Sequence, residues 1–314
     1  MPSYMDDPRV DPAMRDALAG YEAAIAQLLP DPPPLPDDRM RTAWTAARLS
    51  VTRPDPRDAH IVRTPWIGEE RRPRAVLFRP PELSGVAPAI VWIHGGGWCL
   101  GGIGTLEHVF RRLCSLTGFA VAAVEYRLAP EHPFPAALDD VRMVFAQDFP
   151  AAGIDPGRIV LAGDSAGGNL ALALALADKP ALRGLALAYP VTDSDLDTPS
   201  YSEFATGYGL MRAAMDLFWR CYVPDAAART DPRVAPLRAA SLAGLPPVHL
   251  QLAGLDVLRD DSLRLEARLR AENVPVETLV APGLIHGYLS GGQSVPASAE
   301  ALAALADWIR RRVA

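Results

Sequence analysis

Short, continuously apolar runs alternate with amphipathic segments along most of the chain. Eight such runs predict strands, and most lack a polar face, which is typical of strands covered on both sides. They span residues 60–66, 74–79, 89–93, 119–124, 158–162, 182–189, 248–253 and 276–280. Helices are predicted between and after them, at residues 106–116, 136–147, 166–177, 262–272 and 298–311. This alternation predicts an α/β fold, with a mostly parallel central sheet and helices on both faces.

Two amphipathic helical segments lie outside this alternation. Apolar residues near the N-terminus recur at helical spacing, and these are Met14, Leu18, Tyr21, Ile25 and Leu28. A second stripe, in an insertion that no strand immediately follows, contains Met211, Met215, Phe218 and Tyr222. We expect residues 1–50 to form an N-terminal helical cap segment and 51–314 the main domain, with a cap insertion at about 192–245. The two stripes are predicted to bury each other above a pocket.

Composition and charge exclude several classes of protein. Of the 314 residues, 49% are apolar and 22% are charged, so the chain can build a sizeable core and extended disorder is excluded. The 37 acidic residues outnumber the 31 basic ones, and the arginines are scattered, so we expect no nucleic-acid partner. No apolar run approaches the ~18 to 20 residues of a membrane span, and the N-terminus does not resemble a signal peptide.

The three cysteines predict neither a disulfide framework nor a metal site. Cys99, Cys114 and Cys221 are an odd set without metal-ligand spacing. Cysteines that predict no disulfide framework are typical of proteins in a reducing compartment. Together with the missing signal peptide, this cysteine usage predicts a cytoplasmic protein.

A serine at the junction of a strand and a helix is the first candidate for chemistry. Residues 163–167 fit the pattern G-x-S-x-G, after the strand that ends near Ala162 and before the helix that starts at Ala166. In this context the serine lies on a sharp turn, and its Oγ projects above the sheet toward a base. Ser165 is therefore the predicted nucleophile. The alternative is an ordinary helix cap.

The glycines that follow an earlier strand are candidates for binding an oxyanion. Residues 94–98 begin where the strand ending at Ile93 stops, and consecutive glycines can turn backbone N–H groups toward one point. We expect donors from Gly96, with Gly95 or Gly97 beside it, and from Ala166 after the nucleophile. The sequence leaves open which two glycines donate.

A histidine and a carboxylate complete the predicted catalytic set. His286 follows the last predicted strand, in the chain order nucleophile, acid, histidine that a sheet of this type requires. Asp256 lies directly past the strand at 248–253, where it would orient the imidazole. Asp260, four residues later, is the competing carboxylate. Among the other histidines, His249 lies inside an apolar strand and is interpreted as a core residue.

The chain resembles the bacterial hormone-sensitive-lipase family (family IV) of α/β-hydrolase carboxylesterases. The motifs that carry the resemblance are HGGGW at 94–98, EYRLAPEHPFPAALDD at 125–140, GDSAGGNL at 163–170, DVLRD at 256–260 and HGY at 286–288. The resemblance implies a helical cap and hydrolysis of short- to medium-chain acyl esters without a metal or cofactor. Two departures, Val257 for a frequent proline and Asp261 for a frequent glutamate, change no proposed catalytic group.

The predicted function is therefore that of a serine carboxylesterase that works through an acyl-enzyme intermediate. A small-molecule ester is the expected substrate, contacted by Trp98, Met211, Met215 and Phe218. In the 125–140 block, four charged residues are interpreted as structural, and these are Glu125, Arg127, Glu131 and Asp139. Two alternatives stay open: an amidase or peptidase of the same fold, and a noncatalytic ligand receptor on this scaffold. A homodimer is also left open.

Overall fold

Eight strands form one sheet in the computed structural model of the chain, which describes residues 4–28, 36–68, 73–292 and 294–313. The strands are β1 (Val62–Ile67), β2 (Arg74–Arg79), β3 (Ala87–Ile93), β4 (Ala120–Glu125), β5 (Ile154–Asp164), β6 (Gly184–Ala188), β7 (Val248–Leu255) and β8 (Val276–Ile285). Their order is β1-β2-β4-β3-β5-β6-β7-β8. Strand β2 is antiparallel to β1 and β4, and every other neighbouring pair is parallel. The predicted mostly parallel α/β sheet is confirmed.

Helices cover the centre of this sheet on both faces. Every residue of β3, β4 and β6 is buried, which explains why these strands read as continuous apolar runs. The helices are α1 (Pro12–Leu28), α2 (Asp38–Val51), α3 (Ile103–Thr117), α4 (Ala136–Phe145), α5 (Ala166–Ala177), α6 (Pro199–Glu203), α7 (Arg212–Tyr222), α8 (Arg259–Ala271) and α9 (Pro296–Val313). Helix α3 packs with α9 and helix α4 with α5, and both pairs contact the sheet. Among the helices of the described ranges, none has both the length and the apolar character needed to cross a membrane.

The carboxyl ends of four parallel strands bring the predicted site segments together. Strands β3, β5, β7 and β8 end at the glycine loop of residues 94–98, at Ser165, at Asp256 and at His286, respectively. Parallel neighbours point their carboxyl ends toward the same edge of the sheet. The topology therefore places all four segments along one edge.

The two amphipathic stripes outside the sheet have different partners from the expected ones. Helix α1 packs on α2 and β8, and Leu18 reaches the neighbourhood of Gly209 and Ile285. Helix α7 instead packs on the glycine loop, where Tyr222 stacks on Trp98 with 4.4 Å between ring centroids. Aromatic rings carry much apolar area, so this stacking stabilises α7 against the glycine loop. The side chains of the last two stripe residues of α1 lie outside the described residues.

The N-terminal residues that precede α1 bind the insertion through hydrogen bonds. Tyr4 donates its backbone N–H to the Gly207 carbonyl oxygen over 3.3 Å, and the Tyr208 hydroxyl donates to Asp7 over 2.8 Å. The guanidinium of Arg9 holds the pKa of the Asp7 carboxyl well below its usual range, chiefly by hydrogen bonding. The contact between N-terminal segment and insertion therefore includes polar bonds at residues 207 and 208.

Candidate active site

Ser165 lies at the turn between β5 and α5 in a backbone conformation that is rare for a residue with a side chain. Its φ is 54° and its ψ is −121°, a strained region that persists only where the surroundings enforce it. The turn needs small neighbours: a Cβ at Gly163 would lie 2.5 Å from the Gly167 carbonyl oxygen, and one at Gly167 would collide with the backbone of Ile93. Within α5, Ser165 makes no side-chain cap hydrogen bond. Its hydroxyl is therefore not committed to the helix.

His286 bridges the serine hydroxyl and a buried carboxylate. Its Nε2 lies 2.9 Å from Ser165 Oγ, and its Nδ1 lies 2.7 Å from Asp256 Oδ2. Since a carboxylate only accepts, Nδ1 carries the hydrogen, and Nε2 is left to accept from the serine. The ring packs edge-on against Tyr189, with 4.9 Å between centroids, which limits its rotation. The structure thus brings the three predicted side chains into one hydrogen-bonded chain.

Asp256 rather than Asp260 contacts the histidine. Asp256 is 1% exposed, and its second oxygen accepts the Leu258 N–H over 2.9 Å, which fixes the carboxylate plane. Asp260 has other hydrogen-bond partners. It accepts the Ser200 N–H over 2.9 Å and the Arg259 Nε–H over 3.1 Å. Asp260 therefore anchors α6 to the start of α8.

The glycine loop lies directly beside the serine, but one of its predicted donors is already used. The Gly95 N–H donates to Asp164 Oδ1 over 3.0 Å. In this structure the Gly95 N–H is therefore engaged by Asp164 and is not free to donate to an oxyanion. The N–H groups of Gly96, Gly97 and Ala166 have no acceptor among the described residues. These three remain available to a ligand near Ser165.

Comparison with known proteins places the chain in a family. A family description for the alpha/beta hydrolase fold matches residues 90–290 of the 314. The chain belongs to the α/β-hydrolase family. The carboxylesterase NlhH of Mycobacterium tuberculosis is 40% identical over 236 residues, which cover 72% of this chain and 74% of that protein. An ethyl acetate hydrolase of Pseudomonas putida is 32% identical over 249 residues, covering 76% and 78%.

Solved structures agree with the family assignment over nearly the whole chain. A thermostable esterase from Pseudomonas putida ECU1011 superposes with a TM-score of 0.85 at 31% identity, covering 98% of this chain and 99% of that one. A hyperthermophilic esterase from Pyrobaculum calidifontis superposes with a TM-score of 0.81 at 30% identity, covering 96% and 98%. The resemblance to the hormone-sensitive-lipase family is confirmed.

Asp164 is a residue of this α/β-hydrolase site that the sequence analysis missed. Its Oδ1 accepts both the Gly95 N–H and the Trp92 indole N–H, each over 3.0 Å. Burial raises the pKa of this carboxyl, since desolvation disfavours its charged form. The signal in the sequence is an acidic residue that follows the apolar run at 159–163 and directly precedes the serine. Asp164 ties the glycine loop to the serine turn.

The four predicted substrate contacts are in very different surroundings. Trp98 has no exposed surface, and its indole packs against both Tyr222 and Trp219. Trp98 therefore acts as an anchor between the glycine loop and α7. Phe218 lies against Gly97. Met215 is buried nearby on the same helix, whereas Met211 is 42% exposed.

The charged residues of the 125–140 block are placed as structural groups in this α/β-hydrolase. Arg74 binds Glu125, Arg127 pairs with Asp140 over 2.7 Å, Arg142 pairs with Asp139 over 3.2 Å, and Arg41 pairs with Glu131 over 2.6 Å. Arg41 also donates to the Cys99 and Ala129 carbonyl oxygens, each over 2.9 Å. The pairs thus hold the segment behind the glycine loop.

The other buried histidines have no part in the bonded chain at Ser165. Burial lowers the pKa of His108 and of His249 to about 4 in each case, so both rings are neutral at pH 7. His94 stacks on Tyr126, and its Nδ1 lies 2.7 Å from the Gly95 carbonyl oxygen. Within the described part of the chain, no three His, Cys, Asp or Glu side chains group as a metal site.

Proposed function

We propose that this α/β-hydrolase hydrolyses carboxylic esters, with Ser165 as nucleophile, His286 as general base and Asp256 as the group that orients the base. The observation that carries the proposal is the continuous hydrogen-bonded chain of 2.9 Å and 2.7 Å between these three side chains. Serine hydroxyls are weak nucleophiles and need an adjacent base. In this proposal His286 is that base, and the buried Asp256 carboxylate holds its tautomer.

The first half of the reaction forms an acyl-enzyme. Ser165 Oγ attacks the ester carbonyl carbon while its proton passes to His286 Nε2, and a tetrahedral intermediate forms. Asp256 stabilises the imidazolium that results. When the intermediate collapses, the bond to the alcohol oxygen breaks and the imidazolium gives its proton to that oxygen. The acyl group is then bound to Ser165 as an ester.

Backbone donors stabilise the developing oxyanion. We assign this role to the free N–H groups of Gly96, Gly97 and Ala166, since Gly95 donates to Asp164. Each such donor is typically worth about 10² to 10³ in kcat, because it is aimed in advance at charge that appears only in the transition state. Deacylation repeats the steps with water, which His286 deprotonates, and releases the carboxylic acid. No step uses a metal or cofactor.

We propose that the acyl group lies against α7, next to the glycine loop. Phe218 already contacts Gly97, and Met215 is buried on the same face. Thioether side chains adapt to groups of different shape, which suits short- to medium-chain esters. In this proposal the cap consists of residues 1–50 and 192–245. We also propose a cytoplasmic location, because Cys99, Cys114 and Cys221 are free thiols.

A chromogenic substrate series tests the reaction class. The enzyme is expected to hydrolyse p-nitrophenyl acetate, butyrate, hexanoate and octanoate. The matched p-nitroanilides should be about 100-fold slower or more, because an amine leaving group needs protonation in the transition state. Faster anilide cleavage would establish an amidase or peptidase. Ester binding without turnover would establish a noncatalytic receptor.

A further inference from the structure

The last turn of α2 is bound to the loop that follows His286. The Arg48 guanidinium donates to the carbonyl oxygen of Gly287 over 3.3 Å and to the Ser290 hydroxyl. Gly287 is the residue next to His286, and a Cβ there would lie 3.0 to 3.1 Å from the guanidinium nitrogens. One arginine of the N-terminal segment therefore touches the backbone beside the proposed base.

The guanidinium is itself fixed by aromatic rings rather than by a carboxylate. It lies 5.2 Å from the ring centroid of Trp44 and 6.0 Å from that of Tyr21. Within residues 4–28, 36–68, 73–292 and 294–313, no carboxylate forms an ion pair with Arg48. Arginine suits such a place, because its planar, weakly hydrated cation stacks on rings while its N–H groups donate in fixed directions.

Further bonds join the end of α2 to the same loop. The Thr52 hydroxyl donates to the Ser290 carbonyl oxygen over 3.0 Å. Ser294 Oγ donates to the Val51 carbonyl oxygen over 3.1 Å, and Arg53 forms a β-bridge with Gly292. The loop that leaves His286 is thus held by the N-terminal segment as well as by the strand that precedes it.

We propose that Arg48 is a positioning residue for catalysis: it sets the loop after His286 so that Nε2 stays in reach of Ser165 Oγ. The inference rests on the proposed role of His286. The physical reason is that proton transfer depends steeply on geometry, and a displacement of about 1 Å can cost 10²-fold in rate. The cap segment would then contribute to the chemical step as well as covering the site.

The variant Arg48→Met tests this proposal in the full-length enzyme. We expect kcat for p-nitrophenyl butyrate to fall by about 10- to 100-fold while KM changes by less than about threefold, since substrate contacts are unaltered. Arg48→Lys should recover part of the loss, because an ammonium can still donate to the loop. Arg39→Met is the matched control. Arg39 is exposed on the same helix and its side chain makes no hydrogen bond to described residues, so kcat should stay unchanged.

Ser290→Ala supplies a second variant with a smaller change. It removes one acceptor of Arg48, and we expect kcat to fall by about two- to fivefold, with a loss in the double variant smaller than the product of the single losses. Wild-type kcat in Arg48→Met, or a loss that appears only in KM or in the folded fraction, would overturn the inference. His286→Ala is measured in parallel, because activity retained there would overturn the proposed function instead.

Discussion

Replacing His286 with alanine is expected to lower kcat for p-nitrophenyl butyrate by about 10⁴- to 10⁶-fold, the range seen when one member of a cooperating triad is removed. The variant leaves Ser165 Oγ without the Nε2 acceptor that lies 2.9 Å away, so the hydroxyl must attack while still protonated. In deacylation, likewise, no group then takes the proton of the attacking water. Initial rates on purified enzyme, with circular dichroism to check the fold, measure the effect.

The matched control for this variant is His132→Ala. His132 is exposed in the turn-rich segment before α4 and takes no part in the bonded chain at Ser165, so kcat should stay within about twofold of wild type. A folded His286→Ala enzyme with more than one tenth of the wild-type kcat would show that another group is the base.

Replacing Asp256 with asparagine is expected to lower kcat by about 10³- to 10⁴-fold with the fold intact. Asparagine keeps an oxygen for the Leu258 N–H, so the local backbone bond can persist. Its amide nitrogen cannot accept the hydrogen on His286 Nδ1, and the imidazole then favours the tautomer in which Nε2 is protonated. In that tautomer Nε2 cannot take the serine proton. Steady-state kinetics and the urea midpoint of the variant provide the measurement.

Asp260→Asn is the matched comparison, since it makes the same chemical change four residues away. In the wild-type chain the Asp260 carboxylate accepts hydrogen bonds from Ser200 and Arg259. We therefore expect Asp260→Asn to lower stability and to reduce kcat by less than about fivefold. If Asp260→Asn is the more damaging of the two for kcat, the orienting role belongs to Asp260.

The central strands could be predicted from the sequence because burial on both faces leaves continuous apolar runs, but the ends of the strands could not. The sequence predicts that β8 ends at residue 280, whereas in the structure the strand continues to Ile285. A proline and a glycine at 282 and 283 mark a turn in the sequence, yet pairing with β7 continues past an irregularity between Ala253 and Leu255. Tertiary pairing therefore overrides the local signal.

The side chains at strand ends were also predictable, because chain order and topology determine which ends meet. Chain order in this way identifies Asp256 and His286, whereas Ser165 is identified by the G-x-S-x-G pattern at residues 163–167. The use of the Gly95 N–H was not predictable, since it depends on the direction of the neighbouring Asp164 side chain. Arg48 belongs to no recognised sequence motif, and the residue to which it donates, Gly287, lies 239 positions later in the sequence. A local sequence pattern cannot indicate a contact between residues that lie so far apart in the chain.

Helices α1 and α7 show the same limit of periodicity. Apolar stripes correctly indicated helices at α1 and α7, but a stripe does not specify its partner. Helix α1 packs on α2 and β8, and helix α7 packs on the buried Trp98. The stacked rings that hold α7 against the glycine loop belong to Trp98 and Tyr222, which lie far apart in the sequence.

Labelling with a fluorophosphonate, followed by intact-mass measurement and peptide mapping, tests the role of Ser165 most directly. The probe reacts with serines that a neighbouring base activates. We expect one adduct per chain, on the peptide that contains Ser165, with ester hydrolysis lost in proportion to labelling and no adduct in Ser165→Ala. An adduct on another residue, or full ester hydrolysis by the labelled enzyme, would contradict the assignment of Ser165 as the nucleophile.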